Sequence, residues 1–429
     1  MQILQFCKEP NEYNKKDLLQ KNKDKKLNKI FINFLCKFYY KIPKSFIKIG
    51  NRIIPIIENF FEIFLIIKGL KLKIYMIKGQ EKNSNKTLEI LYIGNDISNF
   101  SYIINVLNLK KPSIEKKGKT FLWNIQKNIN KLENTDAIII KNSYFYTNYL
   151  HRNGFIVIPE YIEMILDTSK PYKDLYNDFH RSVKKRLRRS NFFNYSFEIS
   201  DELDKLKLFY NDFYIPYIQK KFDDSAIIAN FSILKFNLKR GRLIFIKKDD
   251  EYIFCSLLAD VHKNTVMKTH SAIKDKKINY LDKNINYIST FFSIIWAIDN
   301  NVNNLSLGLC RTFLNDGIFR HKRQWNPTVK KCNKSIKGEK TGVFGLKINN
   351  YSSTIKDFLT NNPFISIENN KIKAIIYKSN YKQLSDDKIK HIKNMYNLPG
   401  ISDIVIAYYD NGKNKIRYVS IIDQDGGKT

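Results

Sequence analysis

A chain of 429 residues is too long for one compact domain and suggests two or three. Hydrophobic residues at 43% and aromatics at 14% support real cores and exclude a disordered chain. The formal net charge of +33 favours anionic partners such as nucleic acid, a phosphorylated cofactor or an anionic membrane face, while drift toward Lys, Asn and Ile would produce much of the same charge.

Residues 1–85 read as a basic, helix-leaning region. Their most apolar run, IIPIIENFFEIFLIIKG (Ile53 to Gly69), is shorter than the roughly 20 residues a spanning helix needs, and Glu58 and Glu62 interrupt it. It reads as an amphipathic or buried helix. Packing into a core and lying on an anionic membrane surface are both consistent with it. No early apolar stretch with a small-residue cleavage site is present, so no signal peptide is expected. KGQEKNSNKT (Lys78 to Thr87) reads as a linker.

Residues 86–170 read as an α/β subdomain. LEILYIG (Leu88 to Gly94) and DAIIIKN (Asp136 to Asn142) have strand composition. Helix-like stretches lie between them, one over Ser98 to Leu109, and GFIVIPEYIEMIL (Gly154 to Leu166) closes the segment.

Residues 171–341 open with a helix begun by Pro171. Its Leu175, Phe179, Val183 and Leu187 recur every four residues as an apolar stripe, with acids early and bases late as the helix dipole favours. A second helix is expected over Asp201 to Lys220, including Pro216. Three antiparallel strands follow, Arg242 to Lys247, Tyr252 to Asp260 and Thr265 to Ala272, broken at KKDDE and HKN. A helix over Ile288 to Asn300 and the strand NLSLGL complete this part. Residues 342–429 read as a small α+β unit without a catalytic constellation.

The five cysteines, Cys7, Cys36, Cys255, Cys310 and Cys332, are scattered and form no CxxC. That argues against a disulfide framework and a zinc site, so no metal is expected, and for a reducing, cytoplasmic compartment. No GxxxxGK[ST], GxSxG, HExxH or strand-flanked GxGxxG occurs, which disfavours NTPases, serine hydrolases, zincins and Rossmann enzymes.

The chemistry concentrates in LGLCRTFLNDGIFRHKRQWN (Leu307 to Asn326). Gly308 and Gly317 would let the backbone approach a ligand or turn with positive φ. Arg311 can fork two hydrogen bonds onto a phosphate or carboxylate, or pair with Asp316. Lys322 is a point charge, and Trp325 either caps an apolar tail or packs the loop. His270 is a titrating group near neutral pH or a hydrogen-bonded core residue. Asp260 is a base for an incoming amine or the start of a turn. On the helix HRSVKKRLRRS, Arg181 and Arg186 with Lys184, Arg188 and Arg189 form either a solvated face or a contact for tRNA phosphates or a phosphorylated sugar lipid.

This segment resembles the C-terminal signature of FemAB-like, GNAT-fold acyltransferases. The strand ends in Gly308, Arg311 follows, then Asp316-Gly317, then an aromatic-Lys-x-x-Trp ending in which His321 is the aromatic, Lys322 the lysine and Trp325 the tryptophan. Asn326 stands where the family has glycine. The basic helix and the ending His270-Ser271-Ala272 match as well, so the likeness covers about Pro171 to Lys340. It implies a mixed, largely antiparallel sheet flanked by helices, preceded by a degenerate GNAT-like half in residues 86–170. It also implies amide formation: an amine attacks an activated acyl group, from acyl-CoA or an aminoacyl-tRNA, on an amino sugar, peptide or cell-envelope precursor. The glycine-rich pyrophosphate loop of acetyl-CoA-binding members is missing, since KDKKINYLDKNINYIST stands there. A non-catalytic basic module binding nucleic acid or the inner membrane face is the alternative from another class.

Overall fold

The computed structural model describes residues 70–421 apart from 82–84, 95–102, 105–106, 108, 126–134, 191–193, 223–227, 263, 275–283, 333–334, 337–338, 341, 350–351, 379–383 and 411–414. The apolar run Ile53 to Gly69, most of the stretch Ser98 to Leu109 and residues 275–283 of the glycine-free stretch KDKKINYLDKNINYIST lie outside the described residues.

The chain forms two compact units, named here for their place in the sequence. The central unit contains Glu163–Gly308 and His321–Thr328, and the flanking unit contains Arg52–Ile162, Leu309–Arg320 and Val329–Thr429. In chain order the flanking unit contributes β1 (Lys71–Glu81), β2 (Thr87–Gly94), β3 (Leu109–Phe121), β4 (Ala137–Asn142), α1 (Thr147–Arg152) and β5 (Ile156–Pro159). Strand β6 (Tyr161–Asp167) runs into the central unit. Then come α2 (Tyr172–Asp178), α3 (Arg181–Arg189), β7 (Tyr195–Ser200), α4 (Leu203–Leu208), α5 (Ile215–Phe222) and α6 (Phe231–Lys239). They are followed by β8 (Gly241–Lys248), β9 (Glu251–His262), β10 (Thr265–Ile273), α7 (Ile285–Asp299), β11 (Asn304–Arg311) and the short α8 (Gly317–Lys322). The chain finishes with β12 (Thr328–Lys331), the hairpin β13 (Ser335–Ile336) and β14 (Glu339–Lys340), β15 (Val343–Ile348), α9 (Ser353–Asn361), β16 (Phe364–Glu368), β17 (Lys371–Lys378), α10 (Asp386–Tyr396), β18 (Asp403–Asp410) and β19 (Lys415–Ser420).

The central sheet runs β6-β11-β10-β9-β8-β7. Strands β7 to β10 pair antiparallel in sequence order, and β11 joins β10 in parallel after the crossover helix α7. Pairing a parallel strand requires such a crossover, whereas the β8–β9–β10 meander needs only tight turns. Asp249 and Asp250 in one turn and Asn264 in the other take positive φ, as short polar turn residues tolerate. One core holds this unit together. It includes Phe209, Phe213, Phe245, Phe254, Leu257, Ile288 and Trp325.

In the flanking unit one sheet runs β3-β1-β2-β4-β15-β5 and a second runs β16-β17-β18-β19. β15 pairs antiparallel with both β4 and β5, so segments from before and after the central unit share one sheet. The whole is a mixed α/β architecture of mixed sheets and helices.

Three local expectations change. Residues 71–81, expected to be helix-leaning, form β1, because their apolar and aromatic residues pair across eight positions with β2. The helix expected after Pro171 is two helices, since Phe179 and His180 are extended. His180 then caps α3, its ring nitrogen accepting from the Ser182 N–H at 3.2 Å. The apolar stripe survives the break, and Leu175, Phe179, Val183 and Leu187 are all buried. The helix over Asp201 to Lys220 holds a π-helical turn, Phe209–Tyr214, between α4 and α5. Pro216 has no N–H to give the carbonyl four residues back, and the wider turn relieves that mismatch.

Candidate functional site

The site is built on β10. A bulge interrupts its ladder with β9, where Lys268 faces Leu258 and His270 faces the next residue, Leu257. Thr269 is the extra residue, and its hydroxyl donates to the Leu257 carbonyl at 2.9 Å. A bulge re-aims the side chains after it. In a regular strand Lys268 and His270 would share a face. Here Lys268 and Ser271 turn toward α7, while His270 meets Tyr214 of the π turn at 5.4 Å between ring centroids.

The parallel ladder between β10 and β11 covers only Thr265–Met267 and Asn304–Ser306. Immediately beyond it, Met267 to Ser271 are all half-buried, between strand ends that are fully buried. Five such residues in a row leave both faces of β10 incompletely packed here, and the face that carries Lys268 is the recess described below. Across from it Gly308 takes φ +83. A Cβ there would stand 3.2 Å from the Lys268 carbonyl oxygen and 3.6 Å from Lys322 Nζ. Glycine is thus required twice, for conformation and for space. The Gly308 N–H donates to Ser306 Oγ at 3.2 Å, and that hydroxyl donates to Glu163 at 2.6 Å.

A polar chain lines the recess. Lys268 Nζ donates to Ser289 Oγ of α7 at 2.8 Å. Ser289 shares a hydrogen with Ser256 Oγ of β9 at 3.0 Å, and Ser256 with Ser271 Oγ at 2.9 Å. Burial and then the neighbouring Lys322 charge bring the Lys268 amine down to about 7, with Cys255 opposing. The Cys255 thiol is pushed well up by burial and stays protonated. His321 sits edge-on to Tyr287 at 4.6 Å. Burial, with Lys268, Lys322 and Arg186 adding to it, takes His321 down to about 4. The recess therefore holds two lysine amines, Lys322 and the down-shifted Lys268, beside the Tyr287 and His321 rings.

Of the residues singled out from sequence, Gly308 and Lys322 come together at this recess. Arg186 lies on its Tyr287 side. The guanidinium is 5.0 Å from the Tyr287 ring and donates to Asn284 at 2.8 Å. Arg181 is exposed at the start of α3. His270 is on β10 as expected, but on the opposite face. Burial holds its ring down at about 4, so it is neutral, and Nδ1 has no hydrogen-bond partner among the described residues. Asp260 is exposed at the far end of β9, opposite Val266, and its N–H donates to Arg240. Partial desolvation raises its carboxyl against Arg242 and Arg240.

Two expectations are corrected. Trp325 is 1% exposed and packs edge-on to Phe179 at 5.0 Å and against Tyr287 at 6.0 Å, so it belongs to the core rather than to a ligand. Gly317 has neither positive φ nor a close neighbour; it begins α8 in open space. The left-handed residue is Asn326, at φ 51. Arg311 and Gly317 belong to the flanking unit. Within that unit Arg311 acts on Tyr161, whose phenol burial and Glu160 push up to about 12 against the pull of Arg311. Asp316, the other partner considered for Arg311, caps α8 by accepting from the N–H groups of Ile318 and Phe319.

Sequence reasoning missed Lys268, Ser256 and Ser289, and met Ser271 only within the ending His270-Ser271-Ala272. A signal was there: Lys268 is the only charged residue in TVMKTHSAI, and Ser289 lies in the apolar helix INYISTFFSIIWAID. Among the described residues no group of three or more His, Cys, Asp or Glu could hold a metal, and no helix is long and apolar enough to cross a membrane.

No family model matches the chain, and no curated protein matches it. Among solved structures, the C-terminal domain of a putative lysylphosphatidylglycerol synthetase from Agrobacterium fabrum is similar at 10% identity and TM-score 0.31, covering 66% of this chain and 82% of that one. FemX is similar at 13% identity and TM-score 0.34, covering 64% and 84%. A GCN5-related N-acetyltransferase from Sphaerobacter thermophilus is similar at 8% identity and TM-score 0.27, covering 61% and 73%. Within the central unit the anticipated three antiparallel strands, crossover helix and parallel strand are present, and an additional strand, β7, not anticipated from sequence, extends the antiparallel run to four. The architecture is mixed α/β, with mixed sheets and helices.

Proposed function

We propose that this chain is an N-acyltransferase that moves an acyl group from an activated donor, acyl-CoA, to an amine of an amino sugar, peptide or cell-envelope precursor. One observation carries the reading: the Lys322 amine stands at left-handed Gly308, where the β10–β11 ladder has ended and β10 is recessed. When an amine attacks an acyl carbon, negative charge develops on the carbonyl oxygen. A fixed cation in a poorly solvated recess stabilises that charge more than it stabilises the neutral substrate. Lys322 is suited to that role. Gly308, braced through Ser306 and Glu163, leaves room for the acyl group beside it. Tyr287, His321 and Arg186 form the wall on one side. Arg311, in the flanking unit, is a separate candidate for an anionic group, because its fork suits phosphate or carboxylate.

A second reading keeps the chemistry and changes the donor to an aminoacyl-tRNA. It is favoured by the exposed Arg181, Lys185, Arg186, Arg188 and Arg189 of α3, a contact surface for phosphates. Work at an anionic inner membrane face fits the same charge.

The test is calorimetric titration of the purified chain with acetyl-CoA, beside Lys322→Met and Arg311→Ala. Saturable binding to the unaltered chain, weakened at least tenfold in each variant, supports the acyl-CoA reading. Absence of binding moves the donor to charged tRNA. Binding of tRNA that is sequence-blind and lost as salt rises, with no acyl transfer, would make the chain a basic binding module instead.

A further inference from the structure

Acyl transfer needs more than a cation for the oxyanion. The acceptor amine is an ammonium ion at neutral pH and has no lone pair until it loses a proton. Neither residue offered by the sequence for that task stands at the recess. His270 is turned to the other face by the Thr269 bulge, and Asp260 is exposed at the far end of β9 beside Arg240 and Arg242.

Lys268 does stand there. It is the residue at which the bulge begins, its carbonyl oxygen faces Gly308, and its amine is joined through Ser289 and Ser256 to half-buried Ser271. The Phe254 ring lies 5.6 Å from the same amine. Among the described residues, the titratable groups acting on it are Lys322 and the Cys255 thiol, with His321 next to the lysine pair. Burial and the neighbouring Lys322 charge disfavour the ammonium form, and they outweigh the Phe254 ring and the Ser289 hydroxyl, which favour it.

We propose that Lys268 is the proton acceptor for the incoming amine, and that Ser289, Ser256 and Ser271 form the hydroxyl chain that returns the proton to solvent. This rests on the acyl-transfer reading. The acceptor ammonium gives one proton to the neutral Lys268 amine. The freed lone pair forms the C–N bond to the acyl carbon. The C–S bond of a thioester, or the C–O bond of an ester, breaks with its electron pair on the leaving atom. The second proton released from the nitrogen neutralises that thiolate or alkoxide. Lys268 then passes its proton along the hydroxyls. No oxidant, reductant or metal enters the balance.

Competitive acetylation with acetic anhydride, read lysine by lysine by mass spectrometry between pH 5 and pH 11, tests the amine without reference to activity. Lys268 is expected to become reactive around pH 7, and later in Lys322→Met, which removes the neighbouring charge. Reactivity appearing only near pH 10, like an exposed lysine, overturns the proposal whatever the activity. The second arm measures acyl transfer against pH. In Lys268→Arg and Lys268→Met the rate at neutral pH is expected to fall about 100-fold, to recover as the pH rises and the acceptor amine deprotonates itself, and to leave the KM for the donor unchanged. A purely structural role predicts profiles parallel to that of the unaltered chain, and that result overturns the proposal. If the unaltered chain transfers no acyl group from either donor class while Lys268 still titrates near 7, the functional reading has failed and the catalytic role falls with it.

Discussion

Trp325 meets Phe179 edge-on at 5.0 Å, and the two rings tie the segment after α8 to the break between α2 and α3. The His180 N–H donates to the Gln324 carbonyl at 2.8 Å, and Ser182 Oγ donates to the Gln324 side chain at 2.7 Å, beside the same contact. Trp325→Ala is expected to remove about 3–5 kcal/mol of stability. Trp325→Phe should cost clearly less, because the indole N–H has no hydrogen-bond partner to lose among the described residues. Urea unfolding of both variants checks this. A ligand-contacting tryptophan would instead leave stability intact and weaken binding.

Gly308→Ala tests the geometry of the recess. The left-handed φ costs an alanine about 1–2 kcal/mol, and its methyl would stand only 3.2 Å from the Lys268 backbone carbonyl oxygen. Thermal unfolding should show that loss. Acyl transfer should fall about tenfold beyond it, since each ~1.4 kcal/mol of misplaced Lys322 is one factor of ten.

His270 and His321 predict the acid limb of stability. Both are held at about 4 against an ordinary 6.5. Below pH 6.5 the unfolded chain takes up protons that the folded chain refuses, so the stability these rings contribute is present above 6.5 and is lost as the pH falls toward 4. The urea midpoint of the unaltered chain should drop between pH 7 and pH 4.5. His270→Phe, which keeps the edge-on contact with Tyr214, should drop less steeply. Equal slopes would mean that His270 titrates normally.

Asn326 occupies the position at which the resembling family carries glycine. Its left-handed conformation is tolerable for asparagine and costly for other side chains. Asn326→Ala is expected to lose about 1 kcal/mol, whereas Asn326→Gly should stay within about 0.5 kcal/mol of the parent. Chemical denaturation of the pair is sufficient.

Much of the central unit was legible before any coordinates. The strands β8, β9 and β10 were anticipated to within two residues at each end, because turn residues and alternating composition are local signals. The burial of Leu175, Phe179, Val183 and Leu187 followed from their spacing, although the extended break at Phe179–His180 did not. That break depends on Gln324, 144 residues further on, taking the His180 N–H. Lys322 and Gly308 were found because they lie close together in sequence.

What the sequence determined by itself was the kind of chain this is: basic, rich in cores, with an antiparallel meander followed by a helix and a strand, and a marked segment at the end of β11. What only the tertiary structure decided was the environment of Lys268, one of 74 lysines and arginines. Lys268 is set apart by one bulged residue, by serines from β9 and α7, and by a second lysine beyond β11. Each of those neighbours is distant in the chain. Desolvation and like-charge repulsion act through space, so no local pattern of letters carries them.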